Sequence, residues 1–309
     1  MINILNSSNT QTNLIYLRSA YSTFVSNSID TLEHIFYFLL VYLIVCLTLY
    51  KILFTTRPYH LILKKLVKHV KFPKHNRILL VISHPDDECM FFGPTILTLT
   101  SRENCEFYIL CLSNGNFEKQ GKKRRNELWE SCTALGISES NIILINATLL
   151  PDDPNIEWKV EAVAKLILNT VESLDIDGII TFDRDGISQH PNHCAIYYAT
   201  ASLCLANLLP KDCKIYTLDS INVIRKYISV FDLLCTFLLS TNWFILSWQS
   251  GSIVRSAMKK HKSQMKWFRW LYIYFSRYMY INSLREINLS DVELEMQLQD
   301  SLLINSFKL

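Results

Sequence analysis

The sequence predicts an α/β fold, a doubly wound, mostly parallel sheet preceded by one N-terminal transmembrane helix. Three observations carry that expectation. Short, nearly unbroken apolar runs rich in β-formers recur from residue 77 onward. Segments of helical periodicity separate them. One longer apolar stretch, of a length suited to a bilayer, lies ahead of both.

The strand candidates are 77–83 (RILLVIS), 106–112 (EFYILCL), 142–146 (IILIN), 178–182 (GIITF) and 214–218 (KIYTL). Near-continuous apolarity marks strands buried on both faces, as in parallel sheets. A helix is expected over 122–135, with Leu128, Cys132 and Leu135 on one face and Gly136 just past its end. A second is expected over 154–173, with Asp153 as N-cap, Pro154 at the first turn and a stripe of Val160, Val163, Ala164, Ile167 and Val171. A third spans about 192–207. Strands alternating with helices imply right-handed crossovers, with ligands gathered at the carboxyl ends of the strands.

Residues 35–54 (IFYFLLVYLIVCLTLYKILF) are apolar apart from Lys51, which can snorkel to the headgroups. About 20 such residues cross a bilayer as a helix. Only Arg18 is basic before the stretch, whereas Lys51, Arg57, Lys64, Lys65, Lys68, Lys71 and Lys74 close or follow it. The excess of cations on the carboxyl side puts the bulk of the chain in the cytosol. The Asn-, Ser- and Thr-rich tail before the stretch then reads as lumenal and disordered. Nine cysteines form no CxxC pair, which suits a reducing compartment and argues against a zinc finger. A net charge of +3 does not call for nucleic acid as a partner. Seven glycines with no GxGxxG deny a nucleotide-cofactor loop, and GxSxG is also absent.

These features divide the chain into a lumenal tail (1–34), a transmembrane helix (35–54), a basic linker (55–76), a catalytic domain (77–225) and a hydrophobic, aromatic-basic region (226–309) apposed to the membrane. Within that last region, 228–248 is apolar but interrupted by Asp232 and Asn242, which favours a membrane-apposed or buried segment over a second span. Residues 257–282 interleave aromatics with Lys and Arg, a mixture suited to an anionic membrane surface.

Two segments at strand ends carry the chemistry: HPDDE at 84–88 and FDRDGISQHPNH at 182–193. His84, Asp87 and His193 make the two-imidazole, one-carboxylate set of a catalytic zinc site. Asp86 stands beside a ligand and is free to act as general base. His190, three residues before His193, is suited to stabilising an oxyanion or protonating a leaving amine. Glu88 reads as a helix-starting acid or a support for a ligand. The basic GKKRR run at a helix N-terminus offers Arg124 or Arg125 as a contact for an anion. Together these groups point to metal-assisted hydrolysis of an amide.

HPDDE after a strand, followed far downstream by HPNH, resembles the LmbE-like (PIG-L) family of zinc-dependent de-N-acetylases. The resemblance implies a Rossmann-like fold, His84, Asp87 and His193 as metal ligands, Asp86 as base and His190 as the electrophilic or acid histidine. The family's Arg followed three residues later by Glu fits Arg124 and Glu127, which implies Arg124 as the contact for a substrate phosphate. Many bacterial members have HPDH where this chain has HPNH, so Asn192 supplies no charge to tune His190. The Asn, the N-terminal span, the run 112–137 and the segment 261–284 (HKSQMKWFRWLYIYFSRYMYINSL) resemble the family's eukaryotic branch. That branch implies an endoplasmic reticulum membrane enzyme of GPI-anchor synthesis, acting on the glycolipid N-acetylglucosaminylphosphatidylinositol. Alternatives are a soluble acetylated sugar conjugate as substrate, or a non-catalytic, membrane-tethered binding module.

Overall fold

The computed structural model describes residues 2–55, 76–102, 105–153, 155–287, 290 and 292–293, with side chains from residue 18 onward. Two compact units divide at Thr55/Thr56.

The first unit is one helix, α1 (Ile2–Thr55). Within it Arg18–Phe54 is long and apolar enough to cross a membrane, with a mean hydropathy of 2.2 in its most apolar window. The helix is longer than the 35–54 expected, and the tail expected to be disordered is helical back to Ile2. Four of its described hydroxyls are absorbed locally. The Ser22, Thr23, Ser28 and Thr31 hydroxyls donate to carbonyls one turn earlier, so they do not compete with the helix. The basic linker expected at 55–76 lies, apart from its two end residues, outside the described residues.

The second unit is built on a seven-stranded sheet in the order β3-β2-β1-β4-β5-β7-β6. Its strands are β1 (Arg77–Ile82), β2 (Glu106–Cys111), β3 (Ile142–Leu144), β4 (Gly178–Phe182), β5 (Lys214–Leu218), β6 (Asn242–Ile245) and β7 (Ile281–Glu286). The first five are parallel, as their two-sided apolarity requires, with Leu80 of β1 between Ile109 and Ile180. The doubly wound α/β class is therefore the one expected. The reversal of strand order falls between β1 and β4, and both motif segments leave the sheet there.

Besides a kinked turn at Gly186–Gln189, the helices among the described residues of this unit are α2 (Asp87–Met90), α3 (Gly93–Thr100), α4 (Gly121–Ala134), α5 (Val160–Leu174), α6 (Pro191–Leu205), α7 (Val223–Lys226), α8 (Leu233–Leu239), α9 (Trp248–Lys260) and α10 (Trp267–Phe275). α5 begins six residues later than its expected start at 154. Asp153 accepts from Asn155 N at 2.9 Å, an Asx turn that competes with capping a longer helix. Trp158 is buried, and its indole donates to Pro151 O, holding the segment as a loop. Pro154 lies outside the described residues. Four of the five stripe residues, Val163, Ala164, Ile167 and Val171, are buried, and Val160 at the helix start is half-buried.

The boundary drawn at 225/226 does not separate two bodies. β7 pairs antiparallel with β5, and β6 pairs antiparallel with β7, so residues 226–287 complete the same sheet. The apolar run 228–248 is neither a span nor one helix. It comprises a short turn, α8 and β6. The interrupting Asp232 is fully buried because Arg225 and Arg277 pair with its two carboxylate oxygens. None of the nine cysteines is in a disulfide.

Candidate active site

β1 runs into the sheet's carboxyl edge and delivers Ser83–Glu88 as a tight, buried turn. Asp87 opens α2 and folds back: its Oδ2 accepts from Ser83 N (3.0 Å) and His84 N (2.9 Å). The other oxygen, Oδ1, is left 3.4 Å from His193 Nε2. Burial alone would raise this carboxyl, but the His193 and His84 imidazoles and the backbone donors hold it well below the usual carboxylate range.

His193 arrives on the first turn of α6. Its Nδ1 lies 3.0 Å from Gly186 O, which turns Nε2 toward Asp87. The ring stacks on Phe182 at the end of β4, 3.8 Å between centroids and nearly parallel. Gly186 has φ +52°, and a Cβ there would come within 2.8 Å of His193 Cβ, so only glycine permits this approach. His84, Asp87 and His193 each bring one donor atom within 4.8 Å of the others. Two imidazoles and a carboxylate with a spare oxygen, each buried and braced from behind, fit a divalent metal.

Asp86 is nearly buried and held at φ 126°, a strained backbone for a non-glycine residue. Its N–H donates to Glu88 Oε2 (3.0 Å), and its Oδ2 lies 2.8 Å from Arg269 Nη2. Burial raises its pKa, and Arg269 opposes that rise. Glu88 does start a helix, but its carboxylate turns inward, where Ser131 Oγ (2.5 Å) and His261 Nε2 (2.6 Å) both bind Oε1.

His190 is the N-cap of α6, its Nδ1 accepting from Asn192 N at 3.3 Å. Burial, with His193 and His84 beside it, pulls its pKa down to about 4. At neutral pH the ring is therefore uncharged, with its remaining proton on Nε2. Asn192 Nδ2 lies 3.0 Å from His84 Nε2, so the Asn that cannot charge-tune His190 instead contacts a member of the metal cluster.

His84, Asp86, His190 and His193 line a cleft of about 430 Å³. Of the GKKRR run, Arg124 reaches it, whereas Arg125 stacks over Trp129. Arg124 packs across Gly115, where a Cβ would meet its guanidinium at 2.4 Å. Its Nη1 binds Gly115 O and Asp152, its Nη2 binds Pro85 O, and its buried Nε has no partner. Four neighbours were not singled out from sequence: Asp152, 3.2 Å from His84 Nε2, and the C-terminal His261, Gln264 and Arg269. Asp152 follows β3 and so shares the ligand edge, which was the available signal. The other three lie inside an aromatic-basic run whose composition masks individual roles.

The family model described as PIG-L: GlcNAc-PI de-N-acetylase matches residues 79–204. The N-acetylglucosaminyl-phosphatidylinositol de-N-acetylase of Bos taurus is 45% identical over 210 residues, covering 68% of this chain and 83% of that one. This chain belongs to the GlcNAc-PI de-N-acetylase family. The probable enzyme of the same name from Dictyostelium discoideum is 38% identical over 241 residues, covering 68% of this chain and 93% of that one. The fold is also that of the N,N'-diacetylchitobiose deacetylase from Pyrococcus horikoshii, with a TM-score of 0.51 at 17% identity over 74% of this chain and 92% of that one. The family's match begins in β1 and ends in α6, so it encloses HPDDE and HPNH. The relatives' alignments extend beyond that core.

Proposed function

We propose that this chain hydrolyses the acetamide of N-acetylglucosaminylphosphatidylinositol to acetate and glucosaminylphosphatidylinositol, the second step of GPI-anchor synthesis. The reaction is assigned to the endoplasmic reticulum membrane, with the catalytic unit cytosolic. The observation that carries the reading is the clustering of His84, Asp87 and His193 at a cleft that His84, Asp86, His190 and His193 line, in a chain of the de-N-acetylase family. The 37-residue apolar stretch Arg18–Phe54 supports the membrane context.

His84, Asp87 and His193 would hold the divalent ion, with zinc the first candidate for a His₂Asp set. When bound, such an ion polarises a carbonyl and acidifies water. Asp86 is the general base: its carboxylate takes a proton from the attacking water as the oxygen adds to the acetamide carbon. His190, uncharged, donates a hydrogen bond from Nε2 to the oxygen that gains charge. As the C–N bond breaks, Asp86 returns its proton to the departing sugar amine. Arg269 orients the Asp86 carboxylate, and Glu88 accepts from the Asp86 backbone N–H. Arg124, in the cleft wall, is the candidate contact for the substrate phosphate.

The decisive experiment pairs metal analysis with deacetylation of the lipid-linked substrate, on wild type and His84→Ala. Metal and activity are expected to be lost together. Full activity in purified Asp86→Asn or His193→Ala protein would sink the reading, and a preference for a soluble acetylated sugar would redirect it.

A further inference from the structure

α10 wears its aromatic face outward. Tyr272 and Ile273 are buried beneath it, while Trp267, Phe268, Trp270, Leu271, Tyr274 and Phe275 are exposed. These six recur at the spacing of one helical face, where a soluble surface helix carries polar residues. Trp267 is 76% exposed. So large an aromatic patch marks an interaction surface.

Charge identifies the occupant. Residues 221–285 contain ten Lys and Arg but one acid, Asp232, and that acid is buried between Arg225 and Arg277. Carboxylates from neighbouring elements pair with four more of these cations: Glu130 with Lys260, Glu118 with Lys266, Asp86 with Arg269 and Asp219 with Arg285. Lys259 and Lys262 beside α10 have no carboxylate partner among the described residues, so the net free charge there is positive. Lys259 lies over the Trp270 ring at 5.4 Å, and Lys262 is exposed at the turn before the helix. Aromatics flanked by uncompensated cations match the headgroup layer of an anionic bilayer, where rings sit at the apolar boundary and ammonium groups meet phosphates.

The same segment grips the catalytic turn. His261 binds Glu88 (2.6 Å), Gln264 Nε2 donates to Pro85 O (2.9 Å), and Arg269 binds Asp86 (2.8 Å). Phe268 and Lys266 line the cleft beside the candidate site. We propose that the outer face of α10 docks on an anionic lipid surface, setting the mouth of the cleft at headgroup level. Its value for presenting a glycolipid rests on the function proposed above; the docking does not.

The test uses the full chain reconstituted in vesicles of phosphatidylcholine and phosphatidylserine, with bromine on the acyl chains. All six tryptophans lie at or beyond residue 129, so α1 contributes no tryptophan signal. Brominated lipid is expected to quench the wild type, and Trp267→Ser/Trp270→Ser is expected to lose most of the quenchable emission. In the same vesicles the variant should deacetylate the lipid-linked substrate several-fold more slowly, with its rate on the acyl-free headgroup unchanged. Equal quenching in both proteins overturns the proposal, as does a pair of α10 faces cross-linked between two copies and shielded from bromine. Intact quenching without deacetylation of either substrate would support the docking while counting against the proposed activity.

Discussion

Arg269 Nη2 lies 2.8 Å from Asp86 Oδ2, joining residues 183 positions apart across the mouth of the cleft. The pair is largely buried, so Arg269 is both a charge neighbour and a mechanical stop for the carboxylate. Arg269→Met should lower kcat by about 10- to 100-fold, the usual cost of losing a partner that orients a catalytic group. KM should change little. Arg269→Lys restores the charge but not the planar fork, so it should recover part of the loss. Steady-state kinetics on the three proteins decides this. A raised KM with unchanged kcat would show that Arg269 binds substrate instead.

The fully buried Glu88–His261 pair ties the catalytic turn to the C-terminal region. Burial alone would raise Glu88 and lower His261, but their mutual charge and hydrogen bond reverse both directions. Glu88 is lowered below 4.5, so its contribution to stability is present above that value and fades as pH falls through the folded value. His261 is raised above 6.5, so its contribution is complete below that value and fades as pH rises through the folded value. The pair therefore stabilises most between those two reference values. Glu88→Ala should cost about 3–5 kcal/mol, because it strands a buried imidazolium. His261→Gln should remove the decline on the alkaline side. Denaturant midpoints across pH, in detergent, read both effects.

Much of this was legible in the sequence for physical reasons. β1 and β4 are buried on both faces, so their apolar runs announce parallel strands, and the topology brings the following segments together. His84, Asp87 and His193 could be paired before any geometry because acids and imidazoles at buried strand ends need a partner. β6 and β7 escaped because NWFI sits inside a longer apolar run and INSLRE alternates weakly. Arg269 escaped because a cation among aromatics reads as interfacial. Only the packing of α10 separates its one inward guanidinium from the outward rings.

Gly186 offers a test of the metal cluster that leaves every ligand in place. A Cβ there would press on His193 Cβ at 2.8 Å, in a backbone of φ +52° that disfavours any side chain. Gly186→Ala should displace His193 and loosen the contact between its Nδ1 and Gly186 O. Metal affinity, by competition with a chelator, is expected to fall about 10- to 100-fold, as when a ligand loses its outer support. Unchanged affinity would mean that His193 does not hold the metal.

His190 separates two mechanisms. With its pKa near 4, it is uncharged where the enzyme works, and its Nδ1 is occupied by Asn192 N. That makes it a hydrogen-bond donor through Nε2 and a poor source of a full proton. Removing such a donor costs roughly 10²- to 10³-fold in kcat, which is the loss expected for His190→Ala. His190→Gln can still donate and should retain part of the activity. A catalytic imidazolium would behave otherwise: activity would fall as pH rose through its pKa, and Gln would be as inactive as Ala. Rates of the three proteins between the weakly acid and weakly alkaline range distinguish the two, and an alkaline limb that vanishes in His190→Gln would overturn the donor role.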